Sequence, residues 1–277
     1  MQQLMKASPS AKPAKFLQPD RSRRTRFRRH RLDILALPVG LGLLISLWAF
    51  IAWLGDYPAF ILPDPLTVSN ELATITMNGV LWHHARATLA VVMSGLLLGV
   101  SVAIVLGYLL AKSPLLERLT GPYIVATQSV PAIAIAPLLV IWFGAGHLSK
   151  VLICALIVFF PILVNTIVGL RSVDPGLSTL MRSLRANRWQ TFIMLEVPAA
   201  MPVLLGGLKI WVTLSVICAV VGEFVGAERG LGYLINLSKG LFNTPLLFAS
   251  LIALSVISLA LYLLISSLEH WLLAWQK

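Results

Sequence analysis

Charge is scarce in this chain, and carboxylates are scarcer still. Of its 277 residues 12% are charged, the 11 Asp and Glu are outnumbered by 22 Lys and Arg, and 58% of the chain is hydrophobic. That much apolar surface exceeds what one soluble core could bury, so the composition excludes an ordinary soluble domain and identifies an integral membrane protein. Cysteine is nearly absent: Cys154 and Cys218 both fall inside apolar stretches, where a free thiol acts as a small apolar group, so neither a disulfide nor a metal pair is indicated. Catalytic signatures are missing as well, with no GxxxxGK[ST] phosphate loop, no HExxH helix and no CxxC spacing. His83 and His84 are adjacent, about 100° apart on a helix, which suits two ligands of one metal poorly. The glycine-rich stretch 226–232, GAERGLG, opens no strand-helix unit and is not read as a phosphate site.

What is present is length of apolar run. A helix needs roughly 20 apolar residues to cross about 30 Å of hydrocarbon, and the sequence supplies six such stretches, at about 34–55, 87–111, 121–143, 151–170, 202–225 and 246–269. Lys209 interrupts the fifth near its start, where its aliphatic stem can snorkel to an interface. Continuous runs rather than alternation exclude a membrane β-barrel, so the expected fold is an all-α six-helix bundle with its backbone satisfied internally. Gly95 with Gly99 makes a GxxxG pair in the second span, and Ala103 and Gly107 extend that face for helix packing.

Positive charge sets the expected orientation. With the N-terminus inside, inner segments hold ten Lys or Arg before Ile34 together with Lys112, Arg118, Arg171, Arg182, Arg185, Arg188, Lys209 and Lys277, eighteen in all, against Arg86, Lys150, Arg229 and Lys239 outside. Both termini are therefore expected in the cytoplasm. Residues 1–33 read as a disordered basic tail whose run Arg21 to Arg31 meets the anionic inner leaflet rather than nucleic acid. The apolar run at Ile34 is too long for a signal-peptide core and lacks a small-x-small site after it, so this first span is expected to be retained.

Between the fourth and fifth spans lies a polar, arginine-bearing island, 174–201. Asp174 before Pro175 is an expected N-cap with proline at the first helical position. Leu177, Leu180, Met181 and Leu184 share one helical face, Arg182 lies opposite and Arg185 at the flank. An unbroken helix would carry Arg188 onto the apolar face, so a bend near Ala186 and Asn187 is expected, followed by a second short helix presenting Trp189 and Phe192. Two amphipathic helices joined by a bend form a knob that can seat in a cleft of a soluble partner, or lie on anionic headgroups.

At these residues the chain resembles the permease subunits of type I ABC importers, whose signature loop runs Glu-Ala-Ala, three residues, Gly, nine residues, Ile, one residue, Leu-Pro. Here Arg185 stands at the glycine, Leu195 at the isoleucine and Val197-Pro198 at Leu-Pro, with every spacing kept. Trp189, Gln190, Phe192, Ala199, Ala200, Pro202 and Gly207 to Lys209 are similar to the branch importing nitrate, taurine, alkanesulfonates and thiamine precursors. Leu62 to Pro65, Pro131 to Leu138, Phe160-Pro161 and Gly222 to Phe224 extend the likeness over nearly the whole chain after residue 35. Thr179, Leu180 and Met181 depart from Glu-Ala-Ala, and a side chain at Arg185 resists the positive φ that glycine permits.

The resemblance implies alternating access by two copies of this subunit, with the island of each seated on one of two ATP-binding subunits that carry ATP and Mg, and a periplasmic binding protein delivering solute across an inner membrane. The chain itself is then no enzyme and binds no cofactor. The coupling contact falls on Leu177, Leu180, Met181, Arg182, Leu184, Arg185, Ala186, Trp189 and Phe192, apolar and basic where the family's is acidic. Gln128, Ser129 and Pro131, in a span that Pro131 and Pro137 are expected to kink, and the ionisable Glu223 are candidate pathway or gate residues. The solute leans towards pyrimidine or riboflavin-like nutrients. An energy-coupling vitamin importer lacks the Leu-Pro spacing, and a secondary transporter would place charge deep in several spans.

Overall fold

The computed structural model describes residues 21–274, with side chains from 38 onward except those of Gln128 and Ala132. The described chain is helical throughout. Helix α1, Arg21–Gly55, forms a unit by itself, with Pro38–Gly55 long and apolar enough to cross a membrane. The expected disorder of residues 1–20 lies outside the described residues. From Arg21 to Asp33 the chain is helical instead, as the run holds no glycine or proline and arginine is a good helix former.

The remainder, from Gly55, is a second compact unit. Asp64 caps α2, Pro65–Met77, by accepting from the Thr67 backbone, and bonds donated by Thr67 hold its carboxyl below the usual carboxylate range. Helix α3, Val80–Lys112, packs along α6, His147–Arg171, which packs in turn on α9, Val197–Gly226. The small-residue face of α3 makes the first seam. A Cβ added at Gly95 would fall 2.5 Å from Cys154 Cβ, one at Gly99 2.6 Å from Val158 Cγ2, and one at Gly107 2.7 Å from Thr166 Cβ. The core of Leu96, Ala103, Val158, Ile162, Leu163, Trp211 and Val212 is built across these three helices.

Between α3 and α6 the chain forms two short helices, α4 (Pro114–Gln128) and α5 (Ala132–Phe143), where a single span over 121–143 was expected. Pro131 supplies no N–H and pushes Val130 out of the α region, so the backbone breaks at Ser129 to Pro131. Consequently five described helices, not six, are long and apolar enough to cross a membrane, with Ile133–Phe143 a shorter apolar piece. The island contributes α7 (Pro175–Ser183) and α8 (Arg188–Thr191), and the chain closes with α10 (Leu231–Gly240) packed against α9 and α11 (Thr244–Leu272).

Candidate functional site

The island is assembled by local hydrogen bonding that its sequence dictates. Asp174 accepts from the Gly176 N–H at 2.6 Å and starts α7 with proline behind it. The helix stops in a Schellman motif: the Ala186 N–H reaches back to Met181 O and the Arg185 N–H to Arg182 O, each at 3.0 Å. Arg185 occupies the left-handed position of that motif with φ of 54°. It therefore adopts the backbone a glycine would take more easily, and the bend survives the replacement. Asn187 and Gln190 then form a reciprocal capping box, 2.7 and 2.8 Å, that opens α8.

After α8 the helix does not end. A π-helical turn, Phe192–Glu196, carries it into α9, so that Arg188–Gly226 is one continuous apolar helix of 39 residues. Fitting an extra residue into the turn re-aims the side chains that follow, and such turns concentrate at functional sites. The turn is locked to the end of α3 by two contacts: Phe192 meets the Tyr108 ring edge-on at 5.3 Å, and Lys112, which lies 5.6 Å over that same ring within α3, pairs with Glu196. Trp189 stacks on Phe192 at 5.6 Å.

The nine expected coupling residues all lie in this knob. Leu177, Leu180, Leu184 and Trp189 are exposed, the last two at 68% and 67%, and Arg182 and Arg185 are exposed beside them. Met181, Ala186 and Phe192 are half-buried and form its inner side. No residue of α7 is buried. An apolar row ringed by guanidiniums is thus presented outward, with no partner among the described residues.

The pathway candidates separate. Ser129 and Pro131 sit at the break between α4 and α5, and the Gln128 side chain is outside the described ones. Pro131 lines a cavity of about 570 Å³ together with Thr127, Phe160, Pro161, Asn165 and Trp211. Glu223 lies elsewhere, at the end of the bundle remote from the island. It is 2% exposed, accepts the Thr88 hydroxyl at 2.8 Å through Oε1 and the Gly232 N–H at 2.6 Å through Oε2. Thr88 also accepts the Leu231 N–H, and His84 Nδ1 the Gly230 N–H, so the start of α10 is held by α3 and α9. Gly230, at φ of 126°, leaves no room for a Cβ, which would meet the Glu223 carboxylate at 2.1 Å. Glu223 is spent on anchoring α10.

Sequence reasoning missed Glu196, Lys112, Thr88 and Asn165. Glu196 carried a signal, being the only acidic residue between Asp174 and Glu223. Thr88 and Lys112 are ordinary residues whose partners lie far away in the chain, and Asn165 is marked only by its place on the cavity wall. Among the described residues no group of three or more His, Cys, Asp or Glu is placed to hold a metal ion.

Long apolar helices around a common core, with a polar knob at one end and a proline-broken helix beside a cavity, define a multi-pass membrane protein of the transport class. The chain belongs to the family of binding-protein-dependent transport system inner membrane components, whose pattern matches residues 95–275. Among its relatives, the riboflavin transport system permease protein of Chloroflexus aurantiacus is 45% identical, covering 90% of this chain and 93% of its own. The formylaminopyrimidine transport permease protein of Halalkalibacterium halodurans is 38% identical over 85% and 93% of the two chains, and the taurine transport system permease protein of Escherichia coli 31% identical over 92% and 94%. In fold the chain is similar to an inward-facing methionine ABC transporter, with a TM-score of 0.63, 19% identity, and coverage of 70% of this chain and 97% of that one.

Proposed function

We propose that this chain is the permease subunit of an ATP-driven importer and that the island is its docking element for an ATP-binding subunit. The observation carrying the proposal is the outward row of Leu177, Leu180, Leu184 and Trp189 with Arg182, Arg185 and Arg188 around it, on a knob fixed at both bends and continuous with α9. An apolar centre with a charged rim is what a desolvated protein contact requires. A rigid connection matters equally, because a displacement of the knob then moves α9 and the α6 packed on it. Two copies, two ATP-binding subunits holding ATP and Mg, and a periplasmic binding protein complete the assembly, with this chain catalysing no reaction itself. Solute crosses an inner membrane by alternating access beside the cavity at Pro131.

Replacing Leu184 with Asp places a carboxylate in the apolar row. In proteoliposomes bearing the full complex, L184D is expected to lower ATP-dependent uptake at least tenfold while the permease remains inserted and folded; wild-type uptake in L184D would overturn the docking role. For the solute, the reading that fits is a flat nitrogen heterocycle. The cavity offers Phe160 for stacking and Asn165 and Thr127 for a polar edge, and two relatives carry riboflavin or formylaminopyrimidine in their names. Uptake of labelled riboflavin and of a formylaminopyrimidine, each with its delivering binding protein, tests this; transport of taurine in preference to both would refute it.

A further inference from the structure

At the end of the bundle opposite the island, Lys150 is 9% exposed, yet its ammonium makes no hydrogen bond and no ion pair among the described residues. Its side chain opens onto a cavity, so the ammonium is available to an acceptor that enters from outside. Lys150 lines a cavity of about 560 Å³ with Ala87, Gly146, His147, Glu228 and Arg229. Gly146 and His147 are the start of α6, a helix of 25 residues whose N-cap, Gly146, offers no side-chain acceptor. The N–H groups of that first turn therefore point at the same space, carrying the positive end of the helix dipole.

A neighbouring cavity of about 500 Å³ shares Ala87 and Arg229 with the first and adds Arg86 and His83. Arg86 and Arg229 are exposed and likewise outside every ion pair among the described residues. Two carboxylates, Glu228 in the lining and Glu223 behind it, face three permanent cations, which leaves the site net positive. Glu223 is near but already accepts from Thr88 and Gly232.

We infer that Lys150, the first turn of α6 and Arg229 form a site for a single oxyanion group, a sulfonate, phosphate or carboxylate, with Arg86 drawing the anion in. Converging backbone N–H groups, an ammonium and a guanidinium are the donors such a group takes. The anion comes either free in solution, as the charged end of an arriving small molecule, or as the phosphate of a lipid headgroup. Use of the site by a transported solute rests on the importer reading, whereas anion binding does not.

The test uses the full chain in its complex, without nucleotide, in a maltoside detergent, which carries neither charge nor phosphate. Inorganic sulfate is titrated against chloride at matched ionic strength and the unfolding midpoint is followed. Sulfate is expected to stabilise in a saturable way that chloride does not reproduce. Lys150→Gln should weaken the apparent affinity about tenfold or more, and Arg229→Gln by several-fold, as expected for lost charge-assisted bonds. R229Q and R86Q alter exposed positions and keep the test open if K150Q fails to fold. Repeating the titration in nanodiscs of phosphatidylcholine, whose headgroup adds a phosphate but no net charge, separates the sources: an unchanged sulfate affinity assigns the site to free anions, a suppressed one to the lipid phosphate. No saturable sulfate effect, or one indifferent to all three substitutions, overturns the site. Because no ATP or uptake is involved, this failure is distinct from failure of the docking experiment.

Discussion

Arg185 shows how one residue can keep a bend and pay for it. Its φ of 54° is the left-handed conformation that Schellman motifs reserve for the residue after the cap, and a side chain there crowds the backbone. Glycine at this position removes the crowding but has more freedom to lose on folding. The first effect is the larger, so Arg185→Gly is expected to stabilise the island by on the order of 1 kcal/mol. Hydrogen exchange at the Ala186 amide, whose bond to Met181 closes the motif, should slow accordingly. The same substitution removes one guanidinium from the docking rim. Faster exchange in R185G would mean that the arginine side chain, not the motif, holds the bend.

Among the elements, the junction between α3 and the π-helical turn is the most exposed to single changes. Glu196 is buried, and its Oε2 has no hydrogen-bond partner among the described residues, while Lys112 is half-exposed. Such a pair contributes less than a fully buried one but leaves a carboxylate stranded when the cation goes. Lys112→Met is expected to cost about 2 kcal/mol, between surface and buried values. Glu196→Gln in the K112M background should recover much of that loss, a non-additivity that a double-mutant cycle reads directly; strictly additive losses would mean the pair is not coupled. The α3–α6 seam fails differently. Gly99→Val puts a branched side chain where a Cβ alone would lie 3.0 Å from the Ala155 carbonyl, and backbone cannot step aside, so an overpacking cost of about 2–3 kcal/mol is expected in thermal denaturation. That seam was legible in the sequence, because small residues at intervals of four mark a face whatever the helix packs on. Asp174, the bend before Asn187 and the apolar face of α7 were legible for the same reason: each depends on neighbours within a few residues. The continuity of α8 into α9 was not, since Pro198 and Pro202 suggested a fresh start near 202, yet both lie inside the continuous helix, where the π-helical turn just before Pro198 relieves its clash. Nor were Thr88 with Glu223 or Lys112 with Glu196, whose members are separated by 135 and 84 residues and share no local pattern.

On the scale of the whole molecule, the two ends of the bundle carry different chemistry, and geometry requires them to lie on opposite sides of a membrane. Helix α6 has 25 residues, about 37 Å at 1.5 Å per residue, which exceeds about 30 Å of hydrocarbon. Its first turn belongs to the cavity of Lys150 and Arg229, and its last residue, Arg171, pairs with Glu117 beside the island. The surplus of arginine and lysine at the island end argues that this end is cytoplasmic. The chain makes the question easy to ask, for its two cysteines are buried, and burial pushes both thiols out of reach of a maleimide in the folded state. A single exposed cysteine then reports its own side. Ser183→Cys, on the outer surface of α7, is expected to react with a membrane-impermeant maleimide in inverted vesicles and not in intact spheroplasts, while Glu228→Cys at the rim of the cationic cavity should show the reverse. Labelling of both from one side would break the single-pass geometry of α6. Exchange of the two patterns would place the island outside the cell, where no ATP-binding subunit could reach it, and the proposed coupling would fall with the orientation.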